Sequence, residues 1–423
     1  MSQHVVVYEY SIVRRASEAA GSIDNTQNTD VFVSDQTFDL LKQWAFVPHA
    51  DPIIRFFLQK SKECLRFKNY TGILQTSDGT QFEILPKIAK NDTVFTARQS
   101  LLKMLRSVTD LPFHRLSQAD LQQADQPLWE IFISAFIQEV EQIMQQGLER
   151  AYQTIETEQT FLRGKWLPHR QNALHPELLF TAHDEFSSDI LPNRLLKTCV
   201  LFLAKRSQYL PNQVRLRQLR FALEDVNTSM QVNADFAKSE KSDRRFNRYA
   251  QALKWAKVLL NQQSWATAGK DVNDSLLFPT ERLFENYVAR GAKRYLENHE
   301  VSYQDDLHFL VDDHSGKRRF RLRPDLVIRK DHQTVVMDMK WKWIEPTLPN
   351  YGIEQADLYQ LYAYGRKYNA NALFLIYPTH EDFRAPLPPF RFEEQLILTV
   401  IPFDIRAPLS SEIEKLENYL GMK

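Results

Sequence analysis

Arg323-Pro324-Asp325-Leu326-Val327-Ile328, followed by Val335-Val336-Met337-Asp338-Met339-Lys340, sets the fold of the C-terminal part of this chain. Each aspartate borders a run of consecutive apolar residues. Such runs, in place of the alternation of a half-exposed strand, predict strands covered on both faces. Asp331-His332-Gln333 between them predicts a hairpin turn that brings Asp325 and Asp338 together. Side chains two apart on a strand share a face, so Asp338 and Lys340 project together while Met339 points into the core. Charges at the end of a covered strand need a reason, because buried charge is costly unless paired or metal-bound.

Two carboxylates and a lysine so placed suit phosphodiester hydrolysis. The substrate is anionic, so attack needs a divalent cation that neutralises charge and acidifies a water. Mg²⁺ takes oxygen ligands, usually one or two carboxylates plus substrate phosphate. On this reading Asp325 and Asp338 hold Mg²⁺, with the Met339 carbonyl as a further ligand. Lys340 positions or deprotonates the attacking water and offsets transition-state charge. The alternative is a pair of strand-end salt bridges, Asp325 with Arg323 and Asp338 with Lys340, on a solvated edge.

The flanking sequence extends the pattern. Pro279 opens a helix expected from Thr280 to about Asn298, with Glu281 and Glu285 in its first turns. A strand near His308–Val311 and a turn at Asp313-His314-Ser315-Gly316 come next. Strands at Arg319–Arg329 and Thr334–Trp343 follow, then a helix from about Ile353 to Tyr368 and an apolar strand at Ala372–Tyr377. Gln360 and Tyr364 lie one helical turn apart and share a face. This order of elements, with acids in its second and third strands, resembles the PD-(D/E)xK nuclease core, and Gln360-x-x-x-Tyr364 resembles the motif of its RecB-like branch. The resemblance implies a restriction-endonuclease-like α/β domain in which Glu285 holds a second metal or a water and Gln360 and Tyr364 position the site. Glu281 is the alternative to Glu285, although first-turn acids also complement the helix dipole.

The chain has 423 residues, enough for two or three domains, and its formal net charge is +0. Global charge therefore announces no nucleic-acid partner, but local charge does. Between Ser315 and Glu345 nine Lys/Arg face four acids, a basic strip suited to DNA backbone contact. Arg321, Arg323 and Lys342 are its candidate DNA-binding residues. The same charges would also protect an edge strand. The two cysteines, Cys64 and Cys199, have no metal-ligand spacing and point to a reducing, cytoplasmic setting. His169, His175 and His183, spaced six and eight apart, do not fit helical zinc pairs. No signal pattern opens the chain, no stretch is apolar enough to span a membrane, and no phosphate-binding Gly-x-x-x-x-Gly-Lys-Ser/Thr loop is present. This chain is thus expected to bind no nucleotide itself.

We expect a multidomain α+β/α chain: a mixed α+β N-terminal region over 1–110 that is the candidate for docking on a partner, a mainly helical middle over 111–270, and the nuclease domain over 271–423. Tyr70–Gln75, Ser77-Asp78-Gly79 and Gln81–Leu85 predict a hairpin. Asp51–Lys62 reads as helical, as do 97–110, 127–150, Pro192–Ser207, Val214–Leu223 and Gln251–Leu260. Asn227–Arg244 reads as a loop, Asp184, Glu185 and Asp189 as helix-entry and turn acids, and Gln262–Asp274 as a domain boundary. Trp341 and Trp343 suit core burial or stacking on bases.

Several further stretches, in order, resemble the McrC family, the nuclease subunit of the McrBC modification-dependent restriction system. They are Ile84-Leu85-Pro86-Lys87-Ile88, Gly147-Leu148-Glu149-Arg150-Ala151-Tyr152, Leu162-Arg163-Gly164-Lys165 with His169-Arg170-Gln171, Asp184-Glu185-Phe186-Ser187 with Asn193-Arg194-Leu195-Leu196-Lys197, and Leu283-Phe284-Glu285-x-Tyr287-Val288. The resemblance spans about residues 70 to 380 and leaves the first 70 residues and the tail after His380 without a motif. It implies an Mg²⁺-dependent endonuclease of antiviral defence that cuts double-stranded methylated DNA. It also implies a partner, an McrB-like AAA+ GTPase hexamer that carries the GTP and is stimulated by this subunit, in part through its N-terminal region. Arg163, Gly164, Lys165 and Arg170 suit contact with DNA or the partner, or a structural turn. Two other readings stay open: a RecB-like nuclease of another defence or repair system, and a non-cleaving activator of the motor.

Overall fold

The computed structural model describes residues 4–21, 30–46, 52–88, 92–172, 174–239, 244–261, 275–392 and 396–421. The Gln262–Asp274 boundary of the sequence reading lies outside them. The chain divides into two compact units, Met1–Leu128 with Gln263–Lys423, and Trp129–Gln262. The N-terminal residues thus pack with the C-terminal ones, where the sequence reading drew three consecutive regions.

In the first unit, a four-stranded sheet runs in the order His4–Tyr8, Gln81–Leu85, Tyr70–Gln75, Ser275–Pro279. Its Tyr70–Gln75/Gln81–Leu85 pair is the hairpin expected from the sequence. Gly72 is what admits the last strand. Its φ is +128°, and a Cβ there would lie 2.1 Å from the Leu276 carbonyl oxygen, so a side chain at this position would push the strand away. A second four-stranded sheet, ordered Asp30–Val33, Ile12–Arg15, Lys62–Phe67, Ile54–Gln59, carries the Asp35–Ala45 helix, whose Ser34 cap accepts from the Thr37 N–H. Both sheets share one core that includes Val7, Phe38, Leu65, Phe82 and Leu277. The helix expected over Asp51–Lys62 is instead the Ile54–Gln59 strand, paired antiparallel to Lys62–Phe67 through a tight turn at Lys60 and Ser61. Cross-strand pairing, such as Phe56 opposite Leu65, overrides an irregular local pattern there.

The remaining sheet of this unit has six strands, ordered Glu300–Tyr303, Leu326–Lys330, Gln333–Met339, Ala372–Pro378, Ile397–Phe403, Phe390–Arg391. Its first three strands are antiparallel and its next two pairings parallel. Val335 to Met339 are all buried, as consecutive apolar residues required. Leu361 and Tyr364 of the Gln355–Lys367 helix join Val327, Val336, Leu373 and Leu398 in one core cluster, which fixes that helix over one face. On the Thr280–Tyr295 helix, Phe284 and Tyr287 set their rings against Phe403 at 6.1 and 6.2 Å.

Two strand expectations are corrected. Arg319–Arg329 is two strands: Lys317–Arg321 pairs with Phe309–His314 as a separate ribbon, and Leu326–Lys330 joins the main sheet. Pro324 lies in the break, where a residue with no N–H and a fixed φ interrupts a ladder. The next strand ends at Met339 instead of Trp343. The parallel register would set Trp341 against Pro378, which cannot donate. The tail beyond His380 adds the Ile397–Phe403 strand and the Leu409–Leu420 helix.

The second unit packs the Leu128–Gln146, Leu191–Ala204, Leu210–Ala222 and Ala250–Asn261 helices about residues such as Phe132, Phe136, Leu195 and Trp255. Glu130, buried in this core, accepts from the Ser207 hydroxyl, the Gln208 and Tyr209 N–H groups and Asn212, so a carboxylate caps the start of Leu210–Ala222. Inside the expected Asn227–Arg244 loop is a short Val232–Ser239 helix around buried Phe236. A three-stranded sheet of Ala151–Gln159, Leu179–Ser187 and Lys165–Trp166 was not foreseen, and Asp184 and Glu185 lie on its strand instead of at a helix entry. No residue of Ala151–Gln159 is buried, so that strand carries no periodic apolar signal to read.

Candidate active site

The acids of the first unit meet where the strands of the six-stranded sheet end. Leu326 pairs with Met337, and the hairpin turns after Lys330, so Asp325 and Asp338 come from neighbouring strands at the same edge. The Met339 N–H donates to Asp325 Oδ2 at 2.7 Å, which clamps one aspartate onto the strand of the other. The Lys340 N–H donates to the Ile376 carbonyl on the opposite edge at 2.9 Å. Met339 therefore turns its own C=O toward the Asp325 edge, where the register sets Pro324 opposite it. Proline has no N–H to offer that carbonyl.

Lys340 Nζ lies 2.8 Å from Asp338 Oδ2 and 3.7 Å from Asp357 Oδ1. Lys342 Nζ lies 2.9 Å from Glu354 and 3.4 Å from Asp357 Oδ2. Gln360 Nε2 donates to the Tyr364 hydroxyl at 2.6 Å, and that hydroxyl donates to the Arg323 carbonyl at 3.1 Å. The Gln355–Lys367 helix thus grips the Leu322–Asp325 connection two residues from the first aspartate. Glu281 and Glu285 arrive on the Thr280–Tyr295 helix, whose first residue is pinned from the other side. The Thr280 N–H donates to the Asn69 carbonyl at 3.0 Å and its hydroxyl to Glu9 Oε1 at 2.6 Å.

Electrostatics report how crowded these acids are. Burial, then the charges of Asp338 and Glu285, push the Asp325 carboxyl well above the usual range. Burial raises Asp338 against the opposing pull of Lys340. Glu285 is pushed up to about 7 by burial, then by Glu281 and Asp338. Burial raises Glu281 as well, opposed by Lys340 and Lys342. For Lys340 burial works downward, but Asp338 and Asp357 outweigh it and hold the ammonium above the usual lysine range. Five carboxylates share two lysines, so the cluster is short of positive charge. Among the described residues no three Asp, Glu, His or Cys side chains by themselves form a metal-holding group.

The sequence profile of the McrBC 5-methylcytosine restriction system component family matches residues 65–378, a span that contains every one of these acids except Glu9. The chain belongs to this family. A search of curated proteins returns no match. Among solved structures, a half-complex of Thermococcus gammatolerans McrB AAA+ hexamers with bound McrC contains a chain similar to this McrBC-family chain. The two align with a TM-score of 0.72 at 19% identity, over 99% of this chain and 100% of that one, which shows a shared fold. A cryo-EM structure of the Thermococcus gammatolerans McrBC complex aligns at 20% identity over 70% of this chain and 88% of that chain, with a TM-score of 0.49.

In this McrBC-family chain the structure gathers Asp325, Asp338, Met339, Lys340, Glu285, Gln360 and Tyr364 at one sheet edge. Arg323 is exposed beside it. Arg321, by contrast, pairs with Asp306 at 2.6 Å, and Lys342 is turned toward Glu354 and Asp357. Two contributors escaped the sequence reading. Asp357 stands one helical turn before Gln360, a spacing that would have put it on the same face. Glu9 is separated from the site by hundreds of residues, and no local signal marks it. It is buried, accepts from Thr280 and from the Trp341 indole N–H at 2.9 Å, and is pushed up to about 7 by burial against those donors.

Proposed function

We propose that this chain is the Mg²⁺-dependent DNA-cleaving subunit of an McrBC-like restriction system, with a PD-(D/E)xK nuclease site, acting when docked on an McrB-like AAA+ GTPase. The observation that carries the reading is the Asp325–Met339 N–H clamp beside the Asp338–Lys340 pair. The donor set fits the metal: Asp325, Asp338 and the Met339 carbonyl are all hard oxygen donors, and Mg²⁺ needs few protein ligands because it keeps waters and takes substrate phosphate. Those three would hold the cation, with Glu285 at its flank for a second cation or a water. The bound cation supplies charge neutralisation and a more acidic water.

The chain's own groups do the rest. Asp338 and Asp357 favour the protonated form of Lys340, so we assign it the role of a cation that orients the attacking water and stabilises charge on the phosphoryl oxygens. Asp357 holds Lys340 and Lys342 in place. Gln360 and Tyr364 position Asp325 through the Arg323 carbonyl. Backbone contact falls to Arg323 with the exposed Lys317, Arg318 and Arg319 of the neighbouring ribbon. Arg321 and Lys342 reach DNA only by leaving their carboxylates.

Docking on the partner we assign to the three-stranded sheet of the second unit and the loop after its first strand, where Tyr152 and Phe186, and Phe161 and Leu162, are exposed. The test is cleavage of methylated and unmethylated plasmid with Mg²⁺, with and without the partner and GTP. Cutting of methylated DNA that needs the partner and GTP, and that Asp338→Ala abolishes, is the expected result. Cutting without the partner would point to a free-standing nuclease, and no cutting at all would remove the catalytic assignment.

A further inference from the structure

Beside the acidic site a cavity of about 350 Å³ is lined by Tyr10, Lys87, Trp341, Lys342, Trp343 and Pro378. That volume is at the small end of ligand pockets, roughly 300–1,000 Å³. It suits one planar ring system. The walls are aromatic and the rim is cationic. Both indole N–H groups are already spent on the protein: Trp341 Nε1 donates to Glu9 Oε2 at 2.9 Å and Trp343 Nε1 to the Lys87 carbonyl at 3.2 Å. Anchored in this way, neither indole offers a ligand a donor; Trp341 is buried with its ring 5.4 Å from Phe284, so the half-buried Trp343 is the indole left to stack on a ligand.

Trp343 is held from outside as well, stacked on the His380 ring at 5.4 Å with 17° between planes. Lys87 Nζ lies 5.6 Å from the Trp343 ring centroid and has no carboxylate partner among the described residues. Tyr10 sits at the rim, 44% exposed, with φ at +64°. A bulky aromatic rarely adopts that conformation. The turn that imposes it is closed by the Ser11 N–H on the Tyr8 carbonyl and by the Tyr8 N–H on the Ser11 hydroxyl.

Lys342 follows Lys340 by two residues, so the rim lies within about 7 Å of Lys340 along the chain. An aromatic pocket whose indole N–H groups are already spent, with the Lys87 ammonium at its rim, one step from the proposed phosphodiester site, matches a nucleobase whose phosphate lies on the rim. We propose that this cavity is a nucleobase subsite that takes one base of the bound DNA strand out of the stack next to the phosphate to be cut. The inference rests on the nuclease reading. Stacking on indole offsets the cost of leaving the helix, and because every base has a stacking face the subsite is tolerant of sequence.

The test uses the full-length Asp338→Ala chain, so that binding is read without cutting. The probes are a short oligodeoxythymidylate and an abasic oligonucleotide of the same length and charge. The base-bearing strand should bind about 10-fold tighter. Trp343→Ala should erase that preference while leaving abasic affinity in place, and Trp343→Phe should keep most of it. Lys87→Ala should weaken both strands and lower the salt dependence by about one ion. A second readout needs no pocket variant: the base-bearing strand quenches tryptophan fluorescence and the abasic strand does not. Equal affinities, equal quenching, or a preference that survives Trp343→Ala in a folded protein would overturn the subsite; a pocket that receives a partner side chain would give that pattern. Base preference in a chain whose wild type cuts no DNA would overturn the nuclease reading and leave the subsite standing. Normal cutting with no base preference would do the reverse.

Discussion

The edge of the six-stranded sheet and the three-stranded sheet of the second unit break opposite rules of folding. At the first, charge is buried: Asp338 is 2% exposed, crowded by other acids. At the second, apolar surface is exposed: Tyr152 is 75% and Phe186 56% accessible, their rings 5.1 Å apart across the strand pair. Both arrangements cost stability in the isolated chain, the first through desolvation and repulsion, the second through apolar surface left in water. On the proposed function the acid cluster takes a cation and an anionic substrate, and the exposed aromatic pair takes a protein partner. If so, chemistry and docking are held by separate elements and should fail separately.

The largest expected effect falls on the chemical side. Asp338→Ala should lower cleavage by about 10³-fold or more, measured on plasmid DNA with the partner present, with little change in melting temperature. The next tests what supports that side. Glu9 has its folded pKa raised from 4.5 to about 7, so the folded state binds the extra proton between those values. Stability is then full below pH 4.5 and falls as pH rises toward 7, by on the order of 3 kcal/mol at most. Glu9→Gln, which keeps an acceptor for the Trp341 N–H, should flatten that part of the pH profile in denaturant unfolding. An unchanged slope would remove Glu9 as its source.

On the docking side, Gly164 has φ +75°, and a Cβ there would lie 2.3 Å from the Ala182 carbonyl oxygen. Gly164→Ala should cost about 1–3 kcal/mol and weaken stimulation of the partner's GTPase. Smallest in stability is Tyr152→Ser with Phe186→Ser, about 0.5–1 kcal/mol, which should leave the fold intact while lowering partner affinity in a pull-down titration.

Legibility in the sequence followed the same divide. The chemical edge was readable because burial on both faces forces consecutive apolar residues, and Asp325, Asp338 and Lys340 stand out against Val335-Val336-Met337. The hairpin at Asp331–His332 and the Gln360/Tyr364 face were readable from turn chemistry and helical spacing. Strand ends were not, because Pro324 and Pro378 act through partners across the sheet. The Ala151–Gln159 strand was hidden because neither of its faces is buried, so no apolar period of two is written into it, and its partner strand buries Thr181 and His183, which carry no apolar signal. Glu9 was invisible because its partners, Thr280 and Trp341, are brought to it only by the fold.

The most direct test of the central claim reads two activities from one set of variants: plasmid cleavage and stimulation of the partner's GTP hydrolysis. Asp338→Ala should lose cleavage and keep full stimulation, and Tyr152→Ser with Phe186→Ser should lose stimulation and, through it, cleavage. Loss of stimulation by Asp338→Ala, or full stimulation by the double variant, would contradict that claim.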